Sequence, residues 1–155
     1  MALLFKNLLF TVLVPGTVAV YVPLLISQGR SPASGLGLAI AVAALVLGAA
    51  IYAWCIWDFA SFGRGTPAPI DAPKKLVLRG LYRYTRNPMY IGVLTVILGW
   101  AALFRDANLV LYAFVVGTCF HLFIVLYEER HLLLEFGSRY ETYRTQVARW
   151  LPRAW

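Results

Sequence analysis

Arg86, Asn87 and Pro88 stand together just before an apolar run, and Glu128 and Glu129 stand just after the next one. An arginine near two carboxylates can hold a ligand carrying both signs of charge, because each group makes short, charge-assisted hydrogen bonds to its opposite. The same trio can also be an ion pair that fastens one segment to another, weak when solvated and stronger when partly desolvated. Asn87-Pro88 alone reads as a helix start, since asparagine can accept from the free amides of a first turn and proline suits the first helical position. That accounts for Asn87 and Pro88 and leaves Arg86 without a local reason. Tyr82, Tyr84, Tyr90, Tyr140 and Tyr143 surround the group in sequence, either as faces for a cation or as ordinary interfacial tyrosines.

The elements that must position these residues follow from composition. Of 155 residues 61% are hydrophobic and only 14% charged, too apolar for an ordinary soluble domain, so an all-α integral membrane protein is expected. A spanning helix needs about 20 apolar residues. Four runs qualify, at about 8–26, 36–59, 88–104 and 107–127, in one membrane domain covering 1–155. Pro15 and Gly16 predict a disturbance within the first. The alanines and glycines of the second favour close helix contact. Only Arg105-Asp106 separates the third from the fourth, which makes them an antiparallel hairpin and brings Glu128 and Glu129 back to the level of Arg86. No charged n-region with a cleavage site precedes the first run, which is expected to remain as a span.

Lysine and arginine placement sets the expected orientation. Lys6, Arg64, Lys74, Lys75, Arg79, Arg83, Arg86, Arg130, Arg139, Arg144, Arg149 and Arg153 fall on one side, and only Arg30 and Arg105 on the other. The side with twelve is expected to be cytoplasmic and to hold both termini, the loop 60–87 and the helical tail 128–155. The net charge of +7 is then explained by loop asymmetry and anionic membrane lipids rather than by nucleic acid. Pro67, Pro69 and Pro73 favour an extended path through the loop. The tail reads as two short helices broken at Gly137-Ser138, the second carrying Tyr140, Tyr143, Val147 and Trp150 on one face. Cys55 and Cys119 lie in apolar runs without metal-ligand spacing. His121 suggests a hydrogen bond between helices, His131 the rim of a pocket, and Asp58 a cap on the cavity or a partner for Arg64.

The stretch RGLYRYTRNPMYIG, the apolar hairpin after it and the tail EERHLLLEFGSRYETYRTQVARWLP resemble the isoprenylcysteine carboxyl methyltransferase family and its relatives among phospholipid methyltransferases, over about Phe62 to Pro152. The resemblance implies a membrane enzyme that transfers a methyl group from S-adenosylmethionine to a lipophilic small-molecule or lipidated acceptor, without a Rossmann domain. In agreement, no G-x-G-x-x-G follows a strand, and Gly63-Arg64-Gly65 is a weak signal. The family's R-H-P-x-Y motif and glutamate pair correspond to Arg86, Asn87, Pro88, Tyr90, Glu128 and Glu129. Tyr82 and Gly92 join them as cofactor-binding candidates, with Arg86 and Glu129 as the catalytic pair. Tyr140, Tyr143 and Arg144 are the candidates for holding the acceptor, and Arg149 could join Arg144 on an anionic head. Asn87 stands where the family has histidine, which excludes an imidazole proton or cation there and leaves hydrogen bonding or capping. Two alternatives remain at this point: a member that binds without catalysing, and a membrane reductase using a nicotinamide cofactor.

Overall fold

The computed structural model of the protein describes residues 2–63 and 75–151, and the side chains of 2–4, 6 and 7 are not among the described groups. The described residues are helical and contain no strand. Helix α1 runs from Ala2 to Ile26 and widens into π-helical turns over Val12–Tyr21. Helix α2 is Gly35–Gly63, α3 is Pro88–Phe104, α4 is Ala107–Phe136 and α5 is Ser138–Gln146. A short 3₁₀ turn, Gly80–Arg83, lies on the approach to α3. Three of the helices contain windows long and apolar enough to cross a membrane, Leu8–Ile26, Gly35–Gly63 and Ala107–Phe136, and α3 is a shorter apolar helix. Their outer faces expose Leu36, Trp57, Leu111 and Phe114, as lipid-facing surfaces do. This is an all-α membrane protein.

The disturbance expected at Pro15-Gly16 takes the form of the π-helical stretch. Proline has no amide to donate to Thr11, and a Cβ on Gly16 would lie 3.0 Å from the Thr11 carbonyl, a tight contact that glycine avoids. Wide turns leave carbonyls that water cannot satisfy in lipid. Trp100 donates through Nε1 to the Ala19 carbonyl at 2.9 Å, and the Tyr112 hydroxyl donates to that of Val18 at 2.9 Å. Both donors thereby tie α1 to the α3–α4 hairpin.

Helix α3 packs on α2 through two glycines. A Cβ on Gly48 would lie 2.7 Å from the Gly92 carbonyl, and one on Gly92 would lie 2.9 Å from the Gly48 carbonyl. The pair lets the two backbones touch, as small residues do between membrane helices. The turn between α3 and α4 is as tight as its two residues demand: Arg105 takes a left-handed conformation at φ 49°, and Asp106 accepts from the Asn108 amide at 2.9 Å. Asp106 also meets Arg30 at 2.7 Å, so the connections at this end of the bundle are joined.

The tail differs from expectation. The break at Gly137 is present, with φ 53°, but α5 ends at Gln146, and Val147 is extended. Val147 and Trp150 are therefore off the helix. Beyond Val147 the chain bonds to the approach instead: the Arg86 amide donates to the Ala148 carbonyl at 2.9 Å. Val147 still packs with the cluster of Tyr140, Tyr143 and Leu76. Helix α4 also runs beyond its expected end near 127 through π-helical turns at Ile124–Glu128, carrying both glutamates on continuous helix. The prolines at 67, 69 and 73, with Arg64, Lys74 and Arg153, lie outside the described residues.

Candidate functional site

The 3₁₀ turn and the start of α3 present Tyr82, Arg86, Asn87 and Tyr90. The π-helical turns of α4 and the α-helical turn that follows them present Glu128 and Glu129, and α5 presents Tyr140 and Tyr143. All eight line one cavity of about 450 Å³. Helix geometry explains its other wall: Phe120, Phe123, Ile124 and Tyr127 recur at spacings of three and four along α4, and Phe10 and Val14 face them from α1. One end of the cavity is thus charged and hydroxylic, and the other is apolar.

The charged end has two parts. Glu129 is held by two guanidiniums. Arg86 approaches its Oε1 through Nη1 at 3.1 Å, while Arg149 donates through Nε to Oε1 at 2.7 Å and through Nη2 to Oε2 at 3.1 Å. The Arg86 and Glu129 side chains are only 10% and 13% exposed, so the pair is shielded from screening by water. Hydrogen bonding to Glu129 raises the Arg149 pKa further above its ordinary value. Glu128 is organised separately: its Oε2 accepts from the Tyr90 hydroxyl at 2.8 Å. The Nε of Arg86 is buried and has no hydrogen-bond partner among the described residues, an uncommon state for a guanidinium donor.

Tyrosines complete the wall. Arg86 Nη1 reaches the Tyr140 hydroxyl at 3.4 Å, and Tyr143 donates to the Tyr82 carbonyl at 2.7 Å, fastening α5 to the approach. Burial raises the pKa of Tyr82, Tyr140 and Tyr143, which keeps these phenols neutral and able to donate.

Other residues singled out in the sequence take different places. Asn87 makes no cap with its side chain; its Nδ2 donates to the Arg149 carbonyl at 3.0 Å, because the returning tail offers that acceptor. Gly92 is absent from the cavity wall and serves the contact with α2. Pro88 is buried at the first turn of α3 rather than on the wall. Arg144 is not part of the cavity wall and forms a surface pair with Glu141 at 3.5 Å. His121 accepts from Trp150 Nε1 at 3.1 Å, so its partner is the tail and not a neighbouring helix. His131 does line the rim, 3.7 Å from Glu135. Asp58, only 1% exposed, pairs with Arg79 at 2.9 Å beneath the approach. A Cβ on Gly80 would run into that carboxylate, which explains glycine there.

Sequence reasoning gave Arg149 a place on an acceptor head and missed its bond to Glu129, since no periodicity predicts what the chain does after a helix ends. It also passed over Thr85, whose hydroxyl donates to the Arg149 carbonyl at 3.0 Å. The apolar wall was not picked out either, since Phe120, Ile124 and Tyr127 lie in a run that is apolar on all sides.

Comparison with known proteins places the chain in a family. A methanethiol S-methyltransferase 2 from Bradyrhizobium diazoefficiens is 36% identical over 73 residues, covering 47% of this chain and 27% of that protein. The match thus spans little more than a quarter of the relative's length. No solved structure matches the chain significantly. The family model for phospholipid methyltransferases matches residues 36–139, from the start of α2 to the first turn of α5, and includes the cavity's Arg86, Tyr90, Glu128 and Glu129. The chain belongs to the phospholipid methyltransferase family.

Proposed function

We propose that the protein transfers a methyl group from S-adenosylmethionine to an apolar acceptor at the cytoplasmic face of a membrane. The observation that carries the reading is the joining, in one cavity, of a buried arginine–carboxylate–tyrosine cluster to an apolar wall. When bound, S-adenosylmethionine supplies a methyl group activated by a sulfonium. The residues present fit such a molecule. Arg86 Nε is a buried donor without a partner and suits a carboxylate. Glu128, oriented by Tyr90, suits an ammonium or hydroxyls, and the faces of Tyr82 and Tyr140 suit a sulfonium. Glu129 is already occupied by two guanidiniums, which assigns ligand contact to Glu128 and a supporting role to Glu129.

The chain's own contribution is positioning and desolvation. Phe10, Val14, Phe120 and Phe123 exclude water and hold the acceptor's apolar part, while the polar wall fixes the donor end, so that the reacting atoms meet in line. No imidazole is needed at position 87 for this chemistry. The acceptor class includes a prenylcysteine-type carboxylate, a lipid amine or another apolar molecule. The Bradyrhizobium relative's name adds a thiol to that class. The distribution of basic residues supports a multi-pass protein with both termini in the cytoplasm and its polar face against anionic lipid.

The test is incubation of purified protein, in detergent and in liposomes, with methyl-labelled donor and a panel of carboxylate, amine and thiol acceptors on apolar tails. Label transfer to one class is expected. Absence of transfer, together with saturable binding of a reduced nicotinamide cofactor, would replace the reading with a reductase; donor binding without transfer to any acceptor would leave a non-catalytic member.

A further inference from the structure

We propose that Asn87 is a positioning residue: it fixes the carbonyl of Arg149 so that the Arg149 guanidinium clamps Glu129 and, through it, Arg86. The inference rests on the reading of the cavity as a methyl-donor site. Arg149 lies beyond the family match, which ends at residue 139.

Three bonds strap the tail to the approach within two residues. The Arg86 amide donates to the Ala148 carbonyl at 2.9 Å, and the Arg149 carbonyl accepts from Thr85 Oγ1 and from Asn87 Nδ2, each at 3.0 Å. Asn87 and Thr85 are both buried, and the Asn87 amide is itself 3.4 Å from the Thr85 hydroxyl, so these donors have no water to turn to. With its carbonyl held from two sides, Arg149 can project only its side chain, and the fork meets both oxygens of Glu129. A bidentate guanidinium fixes the plane of the carboxylate as well as its distance. Glu129 Oε1 then receives Arg86 Nη1 at 3.1 Å, and Arg86 is left with its Nε buried and unbonded beside the cavity. Asn87 borders the cavity, and through the Arg149 carbonyl and the salt bridge its side-chain amide also acts on Glu129 and Arg86.

A specific substitution pattern follows. The position requires a donor of N–H type, not an acceptor and not a cation. Histidine has a ring N–H that can reach a neighbouring carbonyl, leucine has the size without the donor, and aspartate turns an ionised acceptor towards a carbonyl.

The experiment titrates wild-type protein and the variants Asn87→Leu, Asn87→Asp, Asn87→His and Arg149→Lys with S-adenosylhomocysteine, and measures KM for donor and acceptor separately. Roughly tenfold weaker binding and a raised donor KM at unchanged acceptor KM are expected for Asn87→Leu and Asn87→Asp, with Asn87→His recovering most of the loss. Arg149→Lys keeps the charge and loses the fork, and is expected to show the same donor-side defect. Wild-type affinity in Asn87→Leu or in Arg149→Lys would overturn the proposal. If wild-type protein itself fails to bind, it is the methyl-donor reading that falls. The strap is then decided by thermal unfolding of Asn87→Leu, Arg149→Lys and the double variant: costs smaller in combination than in sum support it, and additive costs overturn it.

Discussion

Glu128 and Glu129 are neighbours in sequence with different environments, and the proposed function gives them different roles on that ground. Glu129 accepts from Arg86 and Arg149, while Glu128 accepts from Tyr90. Removing Glu129 strands one well-buried guanidinium and one partly exposed one. Glu129→Ala is therefore expected to lower stability by about 2–4 kcal/mol, less than the full cost of breaking a buried pair because Arg149 reaches water. A drop in the midpoint of thermal unfolding in detergent checks it. Glu128→Gln keeps shape and loses charge, so it is expected to leave that midpoint nearly unchanged while weakening donor-product binding by roughly tenfold or more, the scale of a hydrogen bond to a charged group. The glutamate pair and Arg86 were legible in the sequence because a hairpin of known length returns them to one level. Their division of labour was not, because it depends on Arg149, whose position is set by main-chain bonds after α5 has ended.

At the level of elements, the site stands on two contacts that the site residues do not make. The first is the Gly48–Gly92 crossing, where each glycine lies against the other's carbonyl. Gly92→Ala is expected to push α3 off α2 and cost about 1–3 kcal/mol as an overpacked contact, read as a lower unfolding midpoint. The second is the buried Asp58 pairing with Arg79, which seats the approach that leads to Tyr82 and Arg86. The four apolar runs and the two-residue turn were readable from length and hydropathy, since a bilayer allows little else. Gly92 was picked out in the sequence by the resemblance, as a cofactor-binding candidate, whereas the structure shows it packed on Gly48 and off the cavity wall. The end of α5 at Gln146 was not readable: Tyr140, Tyr143 and Val147 keep helical spacing although the chain is extended at Val147, because a buried cluster can collect residues from a helix and from the strand-like segment after it.

For the whole molecule, the charged end of the cavity and the joined connections at Arg30 and Asp106 lie at opposite ends of the bundle, which suits a reaction carried out at one membrane surface. On the proposed orientation, which the distribution of basic residues supports, that surface is the cytoplasmic one. A cysteine introduced at Gln28 is expected to react with an impermeant thiol reagent applied from outside intact cells, and one at Glu141 only after the membrane is opened, in a background where Cys119 is replaced by serine. The reverse pattern would invert the orientation. On the proposed function, this bundle holds a methyl donor at the Arg86–Glu128 end of its cavity. The decisive experiment is calorimetric titration of the purified protein with S-adenosylhomocysteine, alongside Arg86→Ala and Glu128→Gln shown to remain folded. Saturable one-site binding is expected for the wild-type protein, weakened roughly tenfold or more in each variant. No binding by the wild-type protein, or equal binding by all three, would contradict it.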